Sequence, residues 1–139
     1  MSIIQTQTTS FKSQLYQAVH DLTTDQLKIA LYTGNADLNA DTTIYSATNE
    51  VAASSSYTTG GQVLTGVTLN TYGYTAYVNF NNVVWTGATI TARCALIYNV
   101  TKGNKSICIL DFGSDKTQTN FTITMPSNTY TTALIRSAN

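Results

Sequence analysis

Charged residues are the scarcest feature of this 139-residue chain. Seven basic and seven acidic side chains make up only 10% of the residues, and the formal net charge is zero. Typical soluble domains carry about 25% charged residues. Because the charges balance and no run of lysine or arginine is present, the chain lacks the electrostatic footprint of a nucleic-acid-binding protein. We therefore expect no nucleic-acid partner.

Several other features are missing as well. No apolar run approaches the roughly 20 residues that a membrane-spanning helix needs, so we expect no membrane partner. The segment Met1-Ser2-Ile3-Ile4-Gln5 has no basic region followed by an apolar stretch, which argues against a secretory signal. One proline and eight scattered glycines give no sign of a linker. The length suits one domain, large enough to fold without a metal or a disulfide framework.

The chain is rich in threonine and tyrosine rather than in charged residues. The chain has 26 threonines and nine tyrosines, and 42% of its residues are hydrophobic, which excludes compositional disorder. Both residue types favour the pleated, half-buried surface of a strand. The composition therefore predicts a mainly β domain whose solvent face is covered by hydroxyl and amide groups. Such a surface carries little repulsive charge and is poorly protected against association.

One short helix is predicted, over residues 11–21. Ser10 can cap it, and its apolar residues recur at spacings of three and four: Phe11, Leu15, Ala18, Val19 and Leu22. Residues 1–9 are mostly polar and are predicted to form an extended N-terminal arm. Residues 10–139 are predicted to form a single β-sandwich domain.

Alternating apolar and polar residues predict a series of short strands with turns between them. These cover residues 27–32, 43–46, 62–69, 74–80, 83–85, 88–98, 107–112, 121–125 and 130–136. The run 107–112 is apolar except for Asp111, which is typical of a central strand. Short strands at this regular spacing indicate an antiparallel β-sandwich or jelly roll that follows the short N-terminal helix.

The only histidine is His20, and a Ser–His–Asp triad would need it as the base with Asp21 beside it in sequence. Adjacent residues on a helix do not face each other, so the pair is poorly placed for catalysis. We expect His20 at the surface near the helix end, where an imidazolium interacts favourably with the helix dipole. No other set of base, nucleophile and electrophile can be proposed, and we expect no enzymatic activity.

The two cysteines, Cys94 and Cys108, flank a predicted hairpin and lack the spacing of a zinc or thioredoxin-like motif. They could be neighbours across paired strands. We expect buried free thiols, and a disulfide is the alternative.

A loop containing Asn35, Asp37, Asn39 and Asp41 places oxygen atoms at every second position, like the start of a calcium-binding loop. Counted from Asp37, however, threonines stand where such a loop has its glycine and its final glutamate. An Asx-rich turn region is therefore the preferred interpretation, and a calcium site is the alternative. We predict no cofactor.

Five aromatic residues lie close together in sequence: Tyr72, Tyr74, Tyr77, Phe80 and Trp85. Such a cluster can form a glycan platform, and Tyr and Trp are also enriched at protein interfaces. By strand alternation Tyr74 and Phe80 face one side and Tyr77 the other, so about half of the cluster is expected in the core.

Several segments together carry a resemblance to a known family. They are Phe11-Lys12-Ser13-Gln14-Leu15, Leu27 to Thr33, Ala36-Asp37-Leu38, Thr43-Ile44-Tyr45, Glu50-Val51, Gly60-Gly61 before Gln62-Val63-Leu64, and Phe121 to Met125 followed by Pro126. In these segments, which span nearly the whole chain, the sequence is similar to a family of small virion proteins of tailed bacteriophages. The resemblance implies a capsid decoration or cement protein, a β-sandwich oligomer that bridges and reinforces capsomers on the outer capsid surface. It implies no catalytic residues.

The resemblance also implies partners and a location. The partner would be the major capsid protein of the same virion, and the particle would be assembled in the host cytoplasm. Closed symmetry is the norm for homo-oligomers, so a dimer or trimer is expected. The expected interface comprises Ile3 and Ile4, which could add a strand to a neighbour's sheet edge, and the aromatic residues Tyr72, Tyr74 and Tyr77.

Two alternatives remain open. One is a neck, tail or fibre-base protein of the same kind of virion. The other is a carbohydrate-binding module that uses Tyr72, Tyr74 and Trp85.

Overall fold

The chain consists mainly of β-strands. A computed structural model describes residues 2–138, which contain ten strands and one helix. In chain order these are β1 (Thr6–Gln7), α1 (Thr9–Tyr16), β2 (Leu27–Tyr32), β3 (Gln62–Val63), β4 (Thr68–Tyr72), β5 (Thr75–Asn79), β6 (Val83–Trp85), β7 (Ile90–Asn99), β8 (Lys105–Gln118), β9 (Phe121–Ile123) and β10 (Ile135–Ser137). The strands pair in antiparallel fashion. The predicted mainly β class with one short helix is confirmed and the sheets suit a β-sandwich, but a jelly roll is not confirmed.

The larger sheet has five strands in the order β1-β8-β7-β2-β3, and β2, β7 and the first half of β8 are covered on both faces. Successive side chains of a strand point to opposite faces. In β2, Ile29 and Leu31 therefore join one apolar cluster, and Ala30 and Tyr32 join another. We call the first the main core; it includes Phe11, Ile29, Leu31, Tyr57, Trp85, Ile97, Ile107 and Phe121. We call the second the outer core; it comprises Ala30, Tyr32, Ala36, Leu38, Cys94, Leu96, Tyr98 and Ile109.

Two smaller sheets form the second layer, with strand orders β10-β5-β4 and β6-β9. Their inner faces contribute Val78, Ile135, Val83, Trp85 and Phe121 to the main core. The opposite face of the β10-β5-β4 sheet is turned to solvent, and all five residues of β4 are exposed.

The helix is shorter than predicted and begins earlier. Its cap is Thr8 rather than Ser10, because the Thr8 hydroxyl accepts the backbone N–H of Phe11 at 3.3 Å. It ends at Tyr16, and the predicted extension to residue 21 is wrong because Ala18 has a left-handed backbone with φ 57°. Within residues 2–138, no helix is both long enough and apolar enough to span a bilayer.

Most of the predicted strands also have different boundaries. The predicted strand 62–69 splits into β3 and β4, because Gly66 has φ 66° and turns the chain between them. Residues 43–46 contribute only one isolated bridge, between Ile44 and Lys105, and the last strand begins at Ile135 rather than at residue 130. The apolar run 107–112 lies inside the longer β8, between β1 and β7.

The long connection between β2 and β3 is fastened by one carboxylate. Glu50 accepts hydrogen bonds from the hydroxyls of Tyr45 (2.5 Å) and Tyr57 (2.6 Å) and from the N–H of Gly60 (2.7 Å). The Tyr57 hydroxyl also accepts the N–H of Leu31 in β2 at 2.8 Å. Burial, reinforced by the hydrogen bond to Glu50, raises the pKa of Tyr57. This arrangement, which we call the Glu50 clasp, ties the connection to the centre of the large sheet.

Candidate functional site

The outer face of the β10-β5-β4 sheet carries a group of exposed tyrosines. Tyr77 in β5 is paired with Asn70 in β4 and with Arg136 in β10. Directly paired residues point to the same side of a sheet, and Tyr72, two residues after Asn70, shares that side. The Tyr130 ring stacks on the Tyr72 ring with centroids 4.4 Å apart.

We call this surface the tyrosine face; it comprises Asn70, Tyr72, Tyr77, Tyr130 and Arg136, with Tyr74 at its border. Tyr72 and Tyr130 are 61% and 41% exposed, and Tyr77 is half-buried. Large side chains exposed together in this way mark an interaction site more often than singly exposed ones do.

The local sequence explains how Tyr74 reaches the border of the tyrosine face. Tyr72 and Thr75 form the last pair of the β4–β5 hairpin, which leaves Gly73 and Tyr74 as a two-residue turn. Gly73 has φ 58°, the positive value that a tight hairpin turn of the Gly-X type requires at its first residue. Tyr74 is thereby held at the hairpin tip, 88% exposed.

The tyrosine face carries positive charge and hydrogen-bonding groups but no carboxylate. No acidic residue occurs in the segments 68–79 and 128–137 that build it. The Arg136 guanidinium lies 3.5 Å from the backbone oxygen of Tyr130, and Asn128 donates to the Thr68 hydroxyl at 3.0 Å. Aromatic rings, phenolic hydroxyls and one arginine are the groups most enriched at the energetic centres of protein interfaces.

The two isoleucines of the predicted interface lie elsewhere. Ile3 forms a parallel bridge with Leu38 and packs against the outer core, whereas Ile4 is 53% exposed. The strand that the arm adds is β1, which pairs with Cys108 and Ile109 of β8 in the same chain. The structure therefore groups Tyr72, Tyr74 and Tyr77 and places Ile3 and Ile4 beside Leu38.

Trp85 and Phe80 are not part of the exposed aromatic group. They are only 1% and 6% exposed and belong to the main core. Trp85 packs near Tyr57 and Phe121, with ring centroids 6.0 Å and 6.3 Å away. Trp85 therefore does not contribute to an exposed aromatic surface, because the inward pleat of β6 carries this side chain into the core.

His20 is enclosed rather than exposed at a helix end, so that prediction is wrong. It lies beyond the end of α1 and is 8% exposed. Its ring nitrogens lie 2.8 Å from Gln14 Oε1 and 2.9 Å from Asn99 Nδ2. The Asp21 carboxylate instead accepts the hydroxyl and the N–H of Thr23, and these hydrogen bonds lower its pKa. His20 and Asp21 therefore do not form the base and acid of a triad.

The two cysteines are free and buried, as predicted. Cys94 lies in the outer core and Cys108 in the main core, on opposite faces of the large sheet. Burial raises the pKa of each thiol to about 12. Both thiols are therefore protonated at neutral pH, and their placement on different faces keeps them from pairing.

The oxygen-rich loop forms Asx turns. Asn39 donates its side-chain N–H to Asp37 Oδ1 at 3.1 Å, and its own Oδ1 accepts the N–H of Asp41 at 2.9 Å. In the part of the chain that the structure describes, no three or more His, Cys, Asp or Glu side chains are grouped so that they could hold a metal ion. These hydrogen bonds are the ones expected for the Asx-rich interpretation.

Sequence reasoning missed Asn70, Tyr130 and Arg136. Tyr130 and Arg136 join the tyrosine face because β10 pairs with β5, a strand more than fifty residues away in sequence. The lack of acidic residues in both segments is the one signal that was available in the sequence. The chain has no match among protein-family models, curated proteins or solved structures.

Proposed function

We propose that this chain is a structural protein of a bacteriophage virion, a capsid decoration or cement protein that binds the major capsid protein through its tyrosine face. The observation that carries the proposal is the tyrosine face itself, an exposed aromatic surface without carboxylates on a charge-poor β-sandwich. The sequence resemblance to small virion proteins supports the phage setting. In this role the chain sits on the outer capsid surface as a dimer or trimer and reinforces the junctions between capsomers.

The chemistry of the tyrosine face suits contact with a protein shell. Tyrosine offers a large, rigid contact area and one hydroxyl at a low cost in side-chain entropy. A surface with few charges avoids the penalty of desolvating ions when a partner covers it. On a symmetric shell the contacts are repeated many times, so each of them can be modest while the whole layer is held firmly.

The surroundings of the histidine and of the two cysteines support a role without catalysis. Both ring nitrogens of the single histidine are engaged by Gln14 and Asn99, and both thiols are buried and protonated at neutral pH. The one imidazole and both thiols, three groups that often act as bases or nucleophiles, are thus committed to the packing of the fold.

The proposal is tested with a double variant, Tyr72→Ser with Tyr77→Ser, added to capsids that lack this chain. Removing two anchors from one interface is expected to weaken binding by at least about tenfold while the circular dichroism spectrum and melting temperature stay close to those of the parent. Co-sedimentation with the capsids measures the binding. The matched control is Tyr16→Ser, because Tyr16 is 94% exposed but lies on α1.

Unchanged binding of the double variant, or an equal loss in the Tyr16→Ser control, would contradict the proposal. The copy number in purified particles separates the two virion roles. Hundreds of copies per particle are expected for decoration, whereas a few copies would place the chain at the neck, tail or fibre base.

A further inference from the structure

A buried polar cluster fastens the connection between α1 and β2 to the turn between β7 and β8. Its members are His20, Asp25 and Asn99. His20 is 8% exposed, Asn99 is fully buried, and the His20 ring packs against Phe11 of α1 with centroids 5.0 Å apart. Asn99 is the last residue of β7, so the cluster joins two parts of the chain that are distant in sequence.

The hydrogen bonds assign the protonation state of His20. The Asn99 amide nitrogen carries only donors and lies 2.8 Å from Asp25 Oδ2 and 2.9 Å from His20 Nδ1, so both atoms accept. Asn99 Oδ1 accepts the N–H of Lys102 at 3.2 Å, which sets the orientation of the amide. The His20 proton is therefore on Nε2, where it donates to Gln14 Oε1 at 2.8 Å.

A second ring proton has no acceptor in this arrangement. It would sit on Nδ1 and point at the donor hydrogens of the Asn99 amide. Turning the amide over would offer its oxygen to His20, but it would break the bonds to Asp25 and to the Lys102 N–H. Because an unmatched buried donor is costly, the protonated ring does not fit the site that the neutral ring occupies.

The surrounding charges do not offset the cost of burying the protonated ring. Burial has the largest effect on the pKa of His20 and lowers it; the carboxylate of Asp25 acts in the opposite direction, and Lys105 and Lys102 lower it further. The Lys102 ammonium lies 3.8 Å from the Asp25 carboxylate and weakens its attraction for the ring. Asp21 faces the cluster with its backbone N–H, which donates to Asp25 at 2.9 Å.

The element packed on the other side of His20 is apolar. A cleft of about 420 Å³ lies between His20, α1 and the inner face of the β10-β5-β4 sheet. Its apolar lining includes Leu15, Leu22, Leu69, Val78 and Ile135. No charged residue of that sheet lines the cleft. The cleft is also lined by Asp21, whose carboxylate is engaged by the hydroxyl and the N–H of Thr23, so the sheet offers a protonated ring no counter-charge on this side.

The backbone next to His20 is also held in an unfavourable conformation. Ala18 has φ 57°, a left-handed value at which an alanine is disfavoured by its Cβ atom. Local hydrogen bonds close this turn, from the N–H of Ala18 to the oxygen of Leu15 at 3.2 Å and from the N–H of Val19 to the oxygen of Gln14 at 3.0 Å, so residues 18–26 leave α1 through a strained helix end.

We propose that His20 is a pH-sensitive latch. While neutral it holds residues 18–26 against the β7–β8 turn, and when protonated it releases them and opens the adjoining apolar cleft. The direction follows from the lowered pKa of His20: the released ring, with a value near 6.5, takes up a proton before the enclosed ring does. The latched arrangement therefore loses stability as the pH falls below about 6.5, and this loss reaches its full size below the pKa of the enclosed ring.

The test combines NMR titration with amide hydrogen exchange in the full chain. Because His20 is the only histidine, its ring gives one set of nitrogen signals, and these report both the tautomer and the protonation. We expect the Nε2–H tautomer at neutral pH and, at about pH 5, a loss of exchange protection of at least about tenfold in residues 18–26. Protection in residues 94–98 of β7 is expected to stay unchanged, after correction for the intrinsic effect of pH on exchange.

The control is His20→Gln, which offers a donor and an acceptor but does not titrate. Its residues 18–26 are expected to show the same protection at both pH values. An Nδ1–H tautomer in the parent chain, unchanged protection across the titration of His20, or the same acid-induced opening in His20→Gln would overturn the proposal. The first two measurements need only the parent chain, so the test stands even if the variant folds poorly.

Discussion

The two layers of the molecule are both built from antiparallel strands but have different surroundings. In β7, nine of the ten residues are buried or half-buried, whereas every residue of β4 is exposed. Strands β2 and β7 and the first half of β8 are covered on both faces, whereas the β10-β5-β4 sheet places Val78 and Ile135 in the main core and turns its other face to solvent. The apolar burial that stabilises the fold is therefore concentrated around the large sheet, whereas the outer face of the β10-β5-β4 sheet is open to solvent.

The largest effect is expected from a cavity in the large sheet. Ile97 in β7 is fully buried in the main core, and Ile97→Ala is expected to lower the free energy of unfolding by about 2–5 kcal/mol. Urea denaturation measures the change. The matched control is Leu69→Ala in β4, where the side chain is 55% exposed and a loss below about 1 kcal/mol is expected. Equal losses of stability in the two variants would contradict the view that the large sheet is more tightly packed than β4.

A smaller effect is expected when the Glu50 clasp is opened. Glu50→Ala removes the acceptor for two tyrosine hydroxyls and one backbone N–H, so we expect a loss of about 1.5–3 kcal/mol in the free energy of unfolding. Asp41→Ala, an exposed acid in the same connection, is the control and should change stability by less than about 0.5 kcal/mol. If Glu50→Ala lowers the free energy of unfolding no more than Asp41→Ala does, the Glu50 clasp does not stabilise the connection.

The smallest effect on stability is expected at the tip of the β4–β5 hairpin. Tyr74 is 88% exposed, so Tyr74→Ser should change the free energy of unfolding by no more than about 0.5 kcal/mol. Thermal and urea unfolding measure this directly. A destabilisation comparable to that of Ile97→Ala would show that Tyr74 is part of the packed structure, and the tyrosine face would lose its status as a free surface.

The strands of the large sheet were predictable because their pattern is local. The boundaries of β2 match the predicted strand 27–32, and β7 covers most of the predicted strand 88–98. Burial on a sheet repeats every two residues, so alternation alone is enough to find such strands. The end of α1 was not predictable in this way, because the chain leaves the helix through a left-handed turn at Ala18, and an alanine gives no sequence signal for such a turn as a glycine would.

The candidate site was predictable only in part. Tyr72, Tyr74 and Tyr77 were singled out because exposed aromatic residues are typical of interfaces. Trp85 was misplaced because sequence alternation does not say which of the two faces is covered. Arg136 was missed because its neighbour Tyr77 is brought to it by strand pairing.

By itself the sequence determined the mainly β class, the single N-terminal helix and the scarcity of charge, because strand and helix periodicity and composition are local properties. The tertiary structure decided which tyrosines meet on one exposed face and which aromatic residues enter the core. It also decided that His20 is enclosed by Asn99 and Gln14. These features depend on contacts between strands that are distant in sequence, and such contacts follow from how the two layers pack rather than from any local pattern.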